Sequence, residues 1–149
     1  MLCRDGKLCI IIFMDIISAR SISVRAIIEH KGKFLLVRNA VSDTYWCLPG
    51  GGIEYSEDIF SALERELIEE TNIKPVIGNL IYFHQIKTDH GYSGPCLYFH
   101  IKNSKDYLKH DVQSSTHGKQ ELAEIKWVDV TKIIVLPKFL ASELPNIAK

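Results

Sequence analysis

Two periodicities alternate along this chain. Ser21 to His30 (SISVRAIIEH) is rich in β-branched residues, and Phe34 to Arg38 (FLLVR) follows after Lys31-Gly32-Lys33. That pattern predicts a β-hairpin turning at Gly32. Asn39 to Thr44 is turn-rich, and Tyr45 to Leu48 reads as a short strand stopped by Pro49 and three glycines. From Asp58 to about Thr71 the apolar positions recur at helical spacing, with Asn72 where a left-handed C-terminal residue is usual. Strands resume at Ile77 to Lys87 and Cys96 to Lys102, then the polar segment Asn103 to Lys119 reads as a loop. Glu124 to Val130 is the last predicted strand, and Thr131 caps a final helical stretch that Pro137 breaks or restarts. Several strands around one central helix and a short terminal one predict a mixed α/β sandwich.

The first twenty residues stand apart. Leu8 to Ile17 (LCIIIFMDII) is apolar except for Asp15. Asp15 interrupts it and Arg20 follows too soon for a secretory signal, and the run is far shorter than the roughly 20 residues of a membrane-spanning helix. Residues 1–20 are therefore expected to be an extension or an extra strand, and residues 21–149 one domain, which a chain of 149 residues accommodates.

Composition narrows the partners. Acids and bases balance at 18 each, so no global field draws the chain to DNA, RNA or an anionic membrane, and any polyanion must be held by a local site. The cysteines at 3, 9, 47 and 96 form no Cys-x-x-Cys pair and have no histidine at zinc-finger spacing, which predicts free thiols in a cytoplasmic protein. None of the six histidines pairs at i+4 on a helix or with a cysteine.

Against that neutral background, Gly51 to Ile73 (GGIEYSEDIFSALERELIEETNI) carries seven acids and one base, Arg65. A solvated acidic helix ordinarily intersperses Lys or Arg at i+4 to relieve repulsion. On a helix Glu70 and Glu69 lie about +40° and −60° from Glu66, and Ala62, Ile59 and Leu63 fall within about 60° of it as well. The three carboxylates therefore flank the packed face. Partly desolvated like charges require compensation, and an all-oxygen set suits Mg²⁺, Mn²⁺ or Ca²⁺ over zinc. The glycines at 50 to 52 bring backbone close to a metal-bridged ligand, and with no Gly-Lys-Ser/Thr following they are not a P-loop.

These residues resemble the Nudix box, which runs Gly, five residues, Glu, seven residues, then Arg-Glu-aliphatic-any-Glu-Glu-any-Gly-aliphatic. Gly51, Glu57, Arg65, Glu66, Leu67, Glu69, Glu70 and Ile73 fill eight of its nine defined positions, and Asn72 replaces the final Gly. Asn tolerates the same left-handed conformation, so the departure is not expected to disable the site. Leu48 to Gly51 and Trp127-Val128 extend the likeness to about Ser21 to Pro145.

The resemblance implies a Nudix-like α/β/α sandwich with a mixed sheet and a catalytic loop-helix-loop. It further implies a metal-dependent pyrophosphohydrolase acting on a small nucleotide substrate. Glu66, Glu69 and Glu70 are then the expected metal ligands, with the Gly51 carbonyl, while Glu57 and Arg65 orient them. The resemblance implies as general base either a box glutamate or a glutamate on a late loop, for which Glu121 or Glu124 could serve. Arg38 is a candidate phosphate contact, and Tyr45, Trp46, Phe83 and Tyr98 are candidates for stacking on a base. Lys87 to His90 lacks the proline associated with ADP-ribose hydrolysis, Tyr92 lies beyond the position associated with dinucleoside polyphosphates, and no coenzyme A signature stands upstream. A nucleoside triphosphate or a nucleotide sugar remains. The competing readings are a nucleotide-binding sensor without turnover, which the complete set of box carboxylates disfavours, and an RNA 5′-end pyrophosphohydrolase, which the neutral charge disfavours. A homodimer is compatible with the sequence.

Overall fold

A computed structural model describes residues 22–39, 45–88, 91–109 and 122–147. Strands β1 (Ser23–Ile27), β2 (Glu29–His30), β3 (Lys33–Asn39), β4 (Trp46–Cys47) and β5 (Gly50–Gly52) precede the central helix α1 (Ile59–Thr71). The long strands β6 (Ile77–Thr88) and β7 (Gly91–Ile101) follow, then a short 3-10 helix (Ser104–Lys109), β8 (Leu122–Val128), β9 (Val135–Leu136) and the terminal helix α2 (Leu140–Ile147).

The strands form two sheets. One has the order β5-β1-β7-β6, with β1 parallel to β7 and antiparallel to β5. The other runs β2-β3-β4-β9, with β8 on the remaining side of β3. Both sheets are covered on two faces. Val24, Ala26, Ile28 and Leu35 join Ala62, Leu63 and Leu67 in the core beneath α1, whereas Ile27, Phe34 and Leu36 join Leu140 and Leu144 beneath α2. That is why Ala26-Ile27-Ile28 and Phe34-Leu35-Leu36 are unbroken apolar runs: alternate side chains serve opposite cores. The expected α/β/α sandwich is the fold observed.

The expected hairpin is real but shorter. His30 pairs with Lys33, and Lys31 and Gly32 both take positive φ, the two-residue turn whose twist matches its strands. Upstream of Ile28, however, the chain belongs to the other sheet, where β1 pairs in parallel with β7. Composition alone does not mark where one extended segment changes sheets.

Three further expectations are corrected. Part of the predicted polar loop, Ser104–Lys109, is a 3-10 helix whose Tyr107 is fully buried. Asn103 ties it down, its side chain accepting from the Val76 amide and donating to the Lys74 carbonyl and to Asp106. Thr131 does not start a helix; its amide and hydroxyl both donate to Asp129 in a turn. The chain then pairs β9 in parallel with β4, and α2 begins only at Leu140. Finally, β7 starts at Gly91 rather than Cys96, because β6 and β7 form one continuous antiparallel ribbon. Leu8 to Ile17 and Glu121 lie outside the described residues, in which no helix is long and apolar enough to cross a membrane.

Candidate active site

Local signals set the ends of α1. Asp58 adopts extended backbone, and its carboxylate accepts from the amides of Phe60 at 2.8 Å and Ser61 at 3.0 Å, an N-cap that holds its pKa below the ordinary carboxylate range. At the other end Asn72 takes φ 56°, and its amide donates to the Ile68 carbonyl. The left-handed geometry expected of the absent glycine is therefore adopted by Asn. Between these ends Ala62, Leu63, Leu67 and Thr71 are buried, which seats the carboxylate face against the glycine strand β5.

Arg65 organises that face. Its Nε and Nη2 donate to the two oxygens of Glu57 at 3.0 and 2.7 Å, a bidentate pair. Nη1 donates to Glu66 at 2.9 Å and reaches Glu69 at 3.5 Å, while Nη2 also donates to the Gly52 carbonyl at 3.0 Å. Glu57 in turn accepts from the Glu54 amide at 2.8 Å. One guanidinium thus joins three of the predicted carboxylates to the glycine strand. The bonds from Arg65 pull the Glu57 carboxyl below its ordinary pKa, and the same contacts raise that of Arg65. Glu66 behaves oppositely: burial pushes its pKa up, although its bond to Arg65 opposes the shift.

Glu70 turns to the other end of the glycine strand and accepts from the Gly50 amide at 2.9 Å. Gly50 has φ 123°, and a side chain there would run into the Val24 carbonyl. At Gly51 a Cβ would overlap the Glu66 carboxylate. Both glycines are therefore required by close approach, one to β1 and one to α1.

The sequence missed Arg25. From the middle of β1 its Nη1 donates to the Leu48 carbonyl at 3.0 Å and to the Gly50 carbonyl. The signal was a lone charge inside an otherwise apolar strand pattern, SVRAII.

The donor set fits a hard divalent cation in charge and chemistry. Glu57, Glu66, Glu69 and Glu70 face Arg65 and Arg25, an excess of two negative charges among these six side chains. Compensation is therefore partly internal, which the acidic composition alone did not indicate. Among the described residues no three acidic, histidine or cysteine side chains already converge at metal-holding distance. Glu69, with 38% of its side chain exposed and a long contact to Arg65, is more exposed than Glu57 and Glu66 and has room to swing.

The candidate substrate residues lie on the other sheet. Arg38 pairs with Glu124 across β3 and β8 at 3.2 Å and stands over the Trp46 ring at 5.7 Å. Tyr45 and Trp46 are half-buried. Glu124 also reaches Lys126 at 3.6 Å. Tyr98 is fully packed in the core beneath α2, which removes it as a stacking surface, whereas Phe83 is 66% exposed on the edge strand β6. His84 packs on Phe139 and His30 sits edge-on to Trp127, so neither joins the carboxylates.

Known proteins are similar to this chain in sequence and fold. The profile of the NUDIX domain family matches residues 18–148. The 8-oxo-dGTP diphosphatase of Buchnera aphidicola subsp. Acyrthosiphon pisum (strain APS) is 26% identical over 99 residues, 66% of this chain and 78% of that protein. Phosphatase NudJ of Escherichia coli (strain K12) is 34% identical over 65 residues, 43% of this chain and 42% of NudJ, so that likeness spans less than half of the relative. The solution structure of the E. coli ORF135 protein superposes with a TM-score of 0.62 at 26% identity, covering 87% of this chain and 89% of that one.

Proposed function

This chain belongs to the NUDIX domain family, hydrolases of pyrophosphate bonds, and from that premise we propose that it is a Mg²⁺-dependent enzyme acting on a nucleoside triphosphate or nucleotide sugar. The observation that carries this reading is the Arg65 network, which gathers Glu57, Glu66 and Glu69 against the glycine strand while Glu70 grips its other end.

Glu66, Glu69 and Glu70 would hold the cation, with the Gly51 backbone beside them. When bound, the cation neutralises diphosphate oxygens and activates water for attack on phosphorus. Glu57 and Arg65 fix the orientation of Glu66, whose buried carboxyl carries the raised proton affinity that a nearby cation lowers. Arg38 supplies a cation on the substrate side, and Trp46 an aromatic surface beside it. Glu121 remains the proposed general base, since Glu124 is already engaged by Arg38 and Lys126. The Buchnera relative's name favours the triphosphate class over the nucleotide sugar.

The test is nucleoside monophosphate formation from a panel of deoxynucleoside triphosphates, 8-oxo-dGTP, nucleotide sugars and ADP-ribose, with Mg²⁺ and with EDTA. Turnover should require the cation, and Glu69→Gln and Glu70→Gln should each cost orders of magnitude while the fold persists by circular dichroism. Near-native activity of both variants with Mg²⁺ would show the ligand assignment to be wrong.

A further inference from the structure

We infer that Arg25 is a positioning residue for the metal site, holding the Gly50 peptide units so that the glycine strand stays in register with Glu70. The inference rests on the metal reading above.

Alternation along β1 sends Val24 and Ala26 into the core beneath α1 and turns Arg25 and Ile27 to the opposite face. Half-buried there, Arg25 pairs across the sheet with Gly50 on one side and Tyr98 on the other. The phase of the ladder explains what it does. Ala26 donates to the Pro49 carbonyl and Ile53 to the Ile22 carbonyl, so residues 26 and 49, and 22 and 53, are hydrogen-bonded pairs. Arg25 and Gly50 fall at the intervening position, where backbone groups point away from the partner strand. The ladder therefore leaves both polar groups of Gly50 to side chains. Its amide goes to Glu70, and its carbonyl, together with that of Leu48, goes to Arg25.

Gly50 is thus held between an anion from α1 and a cation from β1. A tie between strands alone would need one carbonyl contact; here the guanidinium bridges the carbonyls of Leu48 and Gly50, spanning the entry to the glycine strand. Its charge also bears on Glu66 and so counts toward the electrostatic balance of the site. An apolar residue at 25 would keep the strand but leave two carbonyls without this donor and release the Gly50 end of the Glu70 contact.

The experiment titrates Mn²⁺ into the full chain without substrate, reading free Mn²⁺ by electron paramagnetic resonance, alongside kcat and KM on the best substrate of the panel. In Arg25→Met, Mn²⁺ affinity should fall about ten- to a hundredfold, the range typical of groups that orient metal ligands. Its kcat should fall while KM at saturating metal stays near native. Arg25→Lys, which keeps the charge and a donor on a shorter stem, should recover part of each loss. If Arg25→Met does not fold, Arg25→Gln, which retains a donor without the charge, carries the same titration and should show the same loss. Native Mn²⁺ affinity and kcat in a folded variant lacking the guanidinium would overturn the inference and leave the metal reading standing. A native chain that binds no Mn²⁺ would overturn both.

Discussion

The carboxylate face of α1 and the Arg38–Trp46–Glu124 cluster each centre on one arginine, yet the two arginines are held very differently. Arg65 makes a bidentate pair with Glu57, two further carboxylate contacts and a bond to a backbone carbonyl. Arg38 pairs with Glu124, whose side chain is 38% exposed, and stands over the Trp46 ring. Rigid, multiply bonded charge suits a metal shell, where a small displacement changes coordination. A charge beside an aromatic face can adapt to a ligand, with less free energy at stake in each contact. On the function proposed above, the first region would carry the chemistry and the second the choice of substrate.

The comparison breaks most decisively at Arg65. Lysine keeps the charge but cannot bond both oxygens of Glu57 while also reaching Glu66 and the Gly52 carbonyl. Arg65→Lys should lower kcat by about ten- to a hundredfold, as loss of a ligand-orienting group typically does. It should lower the thermal midpoint as well, since Glu57 loses its bidentate partner. Steady-state kinetics with a melting curve checks both, and unchanged turnover would place Arg65 among purely structural residues.

That first region was legible in the sequence because its information is local. Spacing along one helix fixes which carboxylates share a face, Asp58 and Asn72 mark its ends, and the glycines announce close approach. What the sequence did not carry is long-range. The partners of Arg65 follow from the box, but those of Arg25 depend on which strand lies beside β1 and in which phase. The same limit hid the sheet change after Ile27 and the β4–β9 pairing, since parallel neighbours distant in sequence leave no turn signal. Tyr107 shows a second limit: one buried aromatic in a polar stretch was outvoted by its neighbours, and the Asn103 contacts to Lys74 and Val76 that tie the turn down are long-range. The second region was only half legible, because Arg38 meets Trp46 and Glu124 through pairing of β3 with β4 and β8.

A smaller effect is expected from that second region, and it should fall on binding. Trp46→Leu and Arg38→Met should each raise KM about tenfold with kcat within a factor of about three, given that stacking on an aromatic ring contributes roughly 1–3 kcal/mol per base. Glu124→Gln sharpens the test by loosening Arg38 without removing it, and should shift KM by less than Arg38→Met. A fall in kcat with KM unchanged would move this cluster from the substrate side to the reacting centre.

The smallest expected effect concerns the one departure of α1 from its family's pattern. Asn72 stands at φ 56° with its amide bonded to Ile68, so the helix already ends in the conformation a glycine would provide. Asn pays a modest steric cost there that Gly does not, while Gly has more freedom to lose on folding. The first term dominates at a left-handed C-terminal position, so Asn72→Gly should stabilise by about 0.5 kcal/mol, read from the urea midpoint at constant slope. Turnover should not change, because Asn72 is exposed and its amide bonds the Ile68 carbonyl rather than Arg65 or the carboxylates. A variant that gains activity as well would mean that the helix end and the metal face are coupled, and that the rigidity assigned to Arg65 depends partly on how α1 terminates.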